Sequence, residues 1–136
     1  MSFYEGATSS NMFFVKDEDA FRKFIEGVTC SVDSLTLYDD YVTEDGRTGF
    51  SFRTNGSILG YFEDGDDEDD YNAAYVKFIV KLQQFLAPGS SCQIVESGFS
   101  ERCETYAEAV VITPDNYRIT DLWKIADEMS VEMYKE

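Results

Sequence analysis

The side chains of this protein that could perform acid–base or metal chemistry are mainly carboxylates. The sequence contains 27 Asp and Glu residues and no histidine. Without histidine, the commonest general base, the usual activator of a Ser or Cys nucleophile and the main neutral metal ligand are all missing. A catalytic triad and a zinc hydrolase are therefore excluded, and we expect a protein that is not an enzyme.

Two carboxylates, Glu96 and Glu108, fall on predicted strands. A pair of carboxyl groups can perform acid–base catalysis when a cleft holds them in unequal environments. The alternative is a solvated strand face, and this ordinary arrangement is the one that we expect.

The segment from Glu63 to Asp70 contains seven carboxylates and one glycine. It fails the EF-hand pattern, because Asp69 stands where that loop needs glycine and Tyr75 where it needs a bidentate glutamate. Weak binding of Ca²⁺ or Mg²⁺ stays open. The chain also lacks the glycine spacing of a phosphate-binding loop, so we expect no cofactor and no metal site.

The three cysteines, Cys30, Cys92 and Cys103, have no spacing typical of a zinc site. Their odd number also argues against a disulfide framework. We expect reduced, partly buried thiols.

The elements that must position these groups follow from hydrophobic periodicity and turn residues. We expect a flexible arm over residues 1–10 and a single α+β domain over 11–136. The predicted elements, in chain order, are a strand at 12–15, a helix at 18–27, strands near 35–37, 50–52 and 58–62, a helix at 71–87, strands at 92–95, 109–112 and 117–119, and a final helix. These predict an antiparallel sheet of about six strands with three helices packed mainly on one face.

The helices are the best-defined of these elements. Asp17 suits the N-cap of the first, Pro88 and Gly89 end the second, and Thr120 and Asp121 can cap the third. The third helix is predicted to have an apolar face made of Leu122, Trp123, Ile125, Ala126, Met129 and Met133.

Net charge restricts the partners of this protein. The formal charge is −16 and the pI about 4.1, so nucleic acid and anionic membranes are disfavoured partners. A basic or nucleic-acid-binding protein fits this charge. The alternative is that the acidity only maintains solubility. The N-terminus shows no leader pattern, so a cytoplasmic location is expected.

The acidic residues are concentrated between positions 39 and 70. The predicted partner-binding carboxylates are Asp39, Asp40, Glu44, Asp45, Glu63, Asp64, Asp66, Asp67, Glu68, Asp69 and Asp70. Tyr41, Tyr61 and Tyr71 border them and could add apolar contact area, unless their rings cap the core. Carboxylates spaced regularly along a strand or helix would lie about 5–7 Å apart, which is near the phosphate spacing of a nucleic acid.

Three segments carry a resemblance to a known family. The run from Ser10 to Phe21, the strand Gly56-Ser57-Ile58-Leu59-Gly60 and the strand end Val110-Val111-Ile112-Thr113 resemble a family of small acidic proteins carried on plasmids and phages. The sequence departs from that family at 97–102, where a more basic segment is usual. No catalytic residue is transferred by the resemblance, which implies a mobile-element context.

Charge and context together favour one hypothesis. We expect a non-enzymatic inhibitor that mimics nucleic acid and blocks a host restriction or CRISPR protein. The alternatives are an immunity protein that neutralises a basic toxin and a structural acidic module. The oligomeric state is left open by the sequence.

Overall fold

The structure is a computed structural model that describes residues 4–100 and 105–135. Its strands are β1 (Tyr4–Ser10), β2 (Val28–Cys30), β3 (Thr36–Val42), β4 (Thr48–Asn55), β5 (Ile58–Tyr61), β6 (Cys92–Ser100), β7 (Thr105–Ile112) and β8 (Tyr117–Asp121). Its helices are α1 (Glu18–Glu26), α2 (Tyr71–Phe85) and α3 (Leu122–Lys135).

Six of the strands form one antiparallel sheet in the order β3-β4-β1-β6-β7-β8. The strands β2 and β5 pair separately as a two-stranded sheet. The predicted α+β class, with a sheet of about six strands and three helices, is confirmed. β3 and β8 are the two edges of the large sheet.

The prediction of a flexible arm is wrong for residues 4–10. This segment is β1, which pairs with β4 on one side and with β6 on the other. The Thr8 side chain is 2% exposed, and its hydroxyl donates a 2.7 Å hydrogen bond to the Gly56 carbonyl. β1 consists mainly of small and polar residues, so it lacks the hydrophobic alternation by which a strand is recognised in a sequence. Backbone pairing on both sides holds it in the sheet.

Three other strand predictions are corrected. Residues 12–15 form isolated bridges, Phe13 with Phe50 and Val15 with Leu86, where a regular strand was expected. The strand predicted at 58–62 is not part of the large sheet, because the chain turns away at Gly56 (φ +78°) and β5 pairs with β2. The predicted connection at 96–105 is largely strand, since β6 extends to Ser100 and β7 begins at Thr105.

α1 and α2 cover one face of the sheet, as predicted. Asp17 caps α1 by accepting a hydrogen bond from the Ala20 amide. Phe24 of α1 stacks on Phe78 of α2 with ring centroids 6.0 Å apart. The core below them consists of side chains less than 2% exposed, including Phe21, Phe50, Phe52, Ile79, Leu82, Ile94, Val110 and Ile112. No helix within the described ranges is long and apolar enough to span a membrane.

α3 follows β8 without an intervening loop, and Asp121 caps it by accepting a hydrogen bond from the Lys124 amide. None of its residues is buried. Lys124 and Glu128 line a groove of about 840 Å³ against Ala109, Val111 and Thr120 of the sheet. At 100° per residue, the predicted apolar face lies on the opposite side of the helix. This face exists, but it points away from the rest of the domain.

Candidate protein-interaction surface

The first group of acidic residues lies on the β3–β4 hairpin. The register shifts between Tyr38 and Tyr41, so Asp39 and Asp40 occupy a β-bulge on the edge strand. Asp39 pairs with Arg22 of α1, with 3.3 Å between Oδ2 and Nη2. In the hairpin turn, Asp45 accepts a hydrogen bond from the Thr43 hydroxyl and lies 3.5 Å from the guanidinium of Arg47. The Thr43 hydroxyl is the main reason that the pKa of Asp45 is below its ordinary value.

The second group lies on the loop between β5 and α2. Asp66 accepts hydrogen bonds from the Glu63 amide at 2.8 Å and from Lys77 Nζ at 2.6 Å. Glu63 lies 3.2 Å from the same ammonium group. Asp67 accepts from the Asp69 amide, and Asp70 caps α2 by accepting from the Ala73 amide. The loop is therefore folded against the start of α2 by its own side chains.

Five of the eleven acidic side chains have no hydrogen bond or ion pair within residues 4–100 and 105–135. They are Asp40, Glu44, Asp64, Glu68 and Asp69. All five are exposed. These five free carboxylates remain available to a partner, whereas the other six already stabilise the fold.

The structure divides the predicted surface into two groups. Arg22 of α1 holds Asp39 of the hairpin group, and Lys77 of α2 holds Asp66 of the loop group. Between the described members of the two groups there is no hydrogen bond or ion pair. Only Asp39 and Asp40 lie in a strand, and both sit at the bulge. The expectation that regular secondary structure spaces these carboxylates like phosphates is therefore wrong.

The three predicted tyrosines differ in availability. Tyr41 and Tyr71 are each 51% exposed, so either ring could contact a partner. Tyr61 is half-buried, with its ring centroid 5.2 Å from that of Phe24 and 5.2 Å from Lys81 Nζ. Tyr61 therefore belongs to the edge of the core.

The carboxylates considered for catalysis are direct cross-strand neighbours. Glu96 of β6 pairs with Glu108 of β7, and both are half-buried. Ser57 donates a 2.8 Å hydrogen bond to Glu96, and Tyr106 donates a 2.7 Å hydrogen bond to Glu108. Burial, reinforced by these two carboxylates, raises the pKa of Tyr75. Both carboxylates therefore accept hydrogen bonds from hydroxyl groups of the protein itself.

The thiols that the structure describes are poor nucleophiles. Cys92 is fully buried and Cys30 half-buried, and both are free. Burial raises the pKa of each thiol above its ordinary value, which keeps it protonated at neutral pH. Cys103 lies outside the described residues. In the described part of the chain, no group of three or more Cys, Asp or Glu side chains is placed to hold a metal ion.

A second exposed surface was not recognised in the sequence. The apolar face of α3 was expected to pack on the sheet, yet Trp123 is 64% and Met133 70% exposed. The indole nitrogen of Trp123 donates a 3.0 Å hydrogen bond to the Thr105 carbonyl of β7. The pattern of apolar residues is the same in a buried and an exposed amphipathic helix, so the sequence could not distinguish them.

Comparisons with known proteins do not assign this chain to a family. No protein-family model, curated protein or solved structure matches it. Its function has to be inferred from the surface itself.

Proposed function

We propose that this protein is a non-enzymatic inhibitor that binds the Lys- and Arg-lined surface of a nucleic-acid-binding host protein. The observation that carries the proposal is the set of five exposed carboxylates without an internal partner, Asp40, Glu44, Asp64, Glu68 and Asp69. A groove built to receive phosphates offers the complementary charge. The mobile-element context suggested by the sequence resemblance favours a cytoplasmic restriction or CRISPR protein as the target.

The free carboxylates imitate phosphates by charge and not by regular spacing. Asp40 projects from the bulge of β3, Glu44 from the hairpin turn, and the other three from the loop before α2. Internal bonds hold that loop in place, such as the 2.6 Å contact between Asp66 and Lys77. A surface ordered before binding loses less conformational entropy when the complex forms. Tyr41 and Tyr71 add apolar area next to the charges.

The test begins with capture of a partner from a bacterial host lysate on the immobilised full chain, followed by mass spectrometry. Binding of that partner is then measured for the wild type and for the variant Asp64→Asn/Glu68→Gln/Asp69→Asn. The control is Glu5→Gln/Glu26→Gln/Asp115→Asn, whose sites are also exposed. Both variants lose three negative charges and change the formal net charge from −16 to −13.

We expect the loop variant to bind about tenfold more weakly and the control to bind like the wild type. Affinity should fall steeply with salt, because exposed charges are screened beyond about 10 Å at 0.1 M and about 3 Å at 1 M ionic strength. DNA or RNA should compete with the protein for its partner. Unchanged affinity in the loop variant, together with no salt dependence, would refute the proposal. A cognate toxin as the captured partner would identify an immunity protein instead.

A further inference from the structure

The two edges of the six-stranded sheet differ in how they are protected. β3 has a bulge and two adjacent aspartates, Asp39 and Asp40, which discourage pairing with another strand. β8 pairs with β7 over five residues without a register shift. Its other side faces no strand of the described chain. The β8 edge is therefore the less protected of the two.

The helix α3 places an uncovered apolar face next to this edge. Leu122, Ile125, Met129 and Met133 recur at helical spacing and are between 37% and 70% exposed. Tyr134 is 93% exposed. Monomeric proteins seldom expose so many large apolar side chains together.

The first turn of α3 is anchored to the sheet. The Trp123 indole is bonded to the Thr105 carbonyl, and Asp121 caps the helix directly after β8. Lys124 and Glu128 occupy the side of the helix that faces the sheet. Anchoring at this end reduces the ordering that association requires, which favours an interface.

The charge of this surface permits a second copy of the chain to approach. Residues 117–135 contain three basic and four acidic side chains, a net charge of −1 within a chain of −16. The acidic hairpin on β3 is five strands away, or about 24 Å at the usual strand spacing. Its repulsion is screened, because the Debye length is about 8 Å at physiological ionic strength.

We propose that β8 and α3 form a homodimer interface, in which the apolar faces of two α3 helices pack against each other across a two-fold axis. Such an interface is isologous, so one apolar face supplies both halves. A stable dimer buries about 800 Å² on each partner, and a large aromatic side chain contributes about 150–250 Å² when fully covered. Trp123 and Tyr134, 64% and 93% exposed, together with Leu122, Ile125, Met129 and Met133, bring the face into that range when all six side chains are covered.

The test is sedimentation equilibrium of the isolated full chain over a range of concentrations at physiological salt. We expect a mass of two 15.5-kDa chains for the wild type. The variants Met129→Glu/Met133→Glu and Leu122→Lys/Ile125→Lys change the net charge in opposite directions. Both should weaken dimerisation about a hundredfold or more, because each buries unpaired charges in the interface.

The matched control is Val32→Glu/Val76→Glu, which alters two exposed valines outside β8 and α3 and adds the same charge as the methionine variant. The control should remain dimeric, and circular dichroism should show that all variants keep the wild-type fold. If the wild type is monomeric at every concentration, the homodimer proposal is wrong, even if α3 is found to bind another protein. A dimer that both α3 variants leave intact overturns it as well. Because no partner is present in this experiment, its result is independent of the proposed inhibitory function.

Discussion

The carboxylate of Asp66 and the ammonium group of Lys77 form a hydrogen-bonded ion pair, with 2.6 Å between Oδ2 and Nζ. This bond is the main reason that the pKa of Asp66 lies below 3.8 and that the pKa of Lys77 lies above 10.5. It joins the loop to the second turn of α2, eleven residues further along the chain. The most acidic segment of the protein is therefore folded against a helix by one of the few basic residues.

The Asp66–Lys77 pair predicts a pH-dependent contribution to stability. The folded-state pKa of Asp66 is lowered, so its contribution is complete above its ordinary value of 3.8 and is lost as the pH falls through the lower folded value. Asp66→Asn should therefore melt at a lower temperature than the wild type at pH 7, and this gap should close as the pH falls below 3.8. Thermal unfolding followed by circular dichroism at a series of pH values measures the melting temperatures of the wild type and the variant. Asp64→Asn, which removes an unpaired charge, is the control and should show no such closing gap. If the melting temperature of Asp66→Asn stays below that of the wild type by the same amount at every pH, the charged Asp66–Lys77 pair is not the cause of the difference.

Asp70 should matter to stability more than its neighbours. Its side chain caps α2 by accepting a hydrogen bond from the Ala73 amide at 3.1 Å, and loss of such a cap costs about 1 kcal/mol. Asp70→Ala should lower the free energy of unfolding by that amount in urea titrations. Asp69→Ala removes the same charge without a cap and should have little effect. Equal effects of the two substitutions would show that the cap does not contribute.

Gly60 should tolerate no side chain. It has φ +142°, and a Cβ at this position would overlap the Ala74 carbonyl and lie 2.6 Å from the Tyr75 amide nitrogen. Gly60→Ala should destabilise the protein by about 2 kcal/mol or more, because α2 would have to move away from β5. Gly65→Ala is the matched control, since Gly65 also has positive φ but has open space around it. A milder effect at Gly60 than at Gly65 would refute the close approach of β5 and α2.

Deletion of residues 1–10 should unfold the protein. The deletion removes β1, which lies between β4 and β6, and leaves both strands without a neighbour on that side. Far-UV circular dichroism and thermal unfolding should show loss of the cooperative transition. A truncated chain that unfolds cooperatively at the wild-type temperature would restore the interpretation of this segment as an arm.

The thiols should be dispensable for function. Replacing Cys30, Cys92 and Cys103 by alanine should leave partner affinity unchanged, because no thiol chemistry is expected without histidine. The buried Cys92 should account for most of any loss of stability, since its side chain fills the core. Binding assays and urea titrations on the triple variant separate the two effects. Loss of binding in a variant that remains folded would contradict this prediction.

Local sequence signals were sufficient for the parts of the fold that local chemistry specifies. The cap at Asp17, the start of α2 at Tyr71 and the cap at Asp121 all lie where the sequence predicted them. Each depends on side chains within a few residues of one another, so the pattern contains the information. The hairpin of β3 and β4 follows from the same kind of signal.

The sequence by itself determined the acidic character of this protein, the absence of histidine chemistry, the three helices and the caps of α1 and α3. Only the tertiary structure decided that residues 4–10 are an inner strand, because their pairing partners lie 44 to 48 residues away in β4 and 84 to 96 residues away in β6. The tertiary structure also decided which carboxylates are free. Nothing in the local sequence distinguishes Asp64 from Asp66, but in the fold Lys77 lies beside Asp66 and bonds to it. The same holds for α3. Its apolar face is visible in the sequence, whereas its outward direction depends on how β8 leads into the helix and on the hydrogen bond from Trp123 to the Thr105 carbonyl of the sheet.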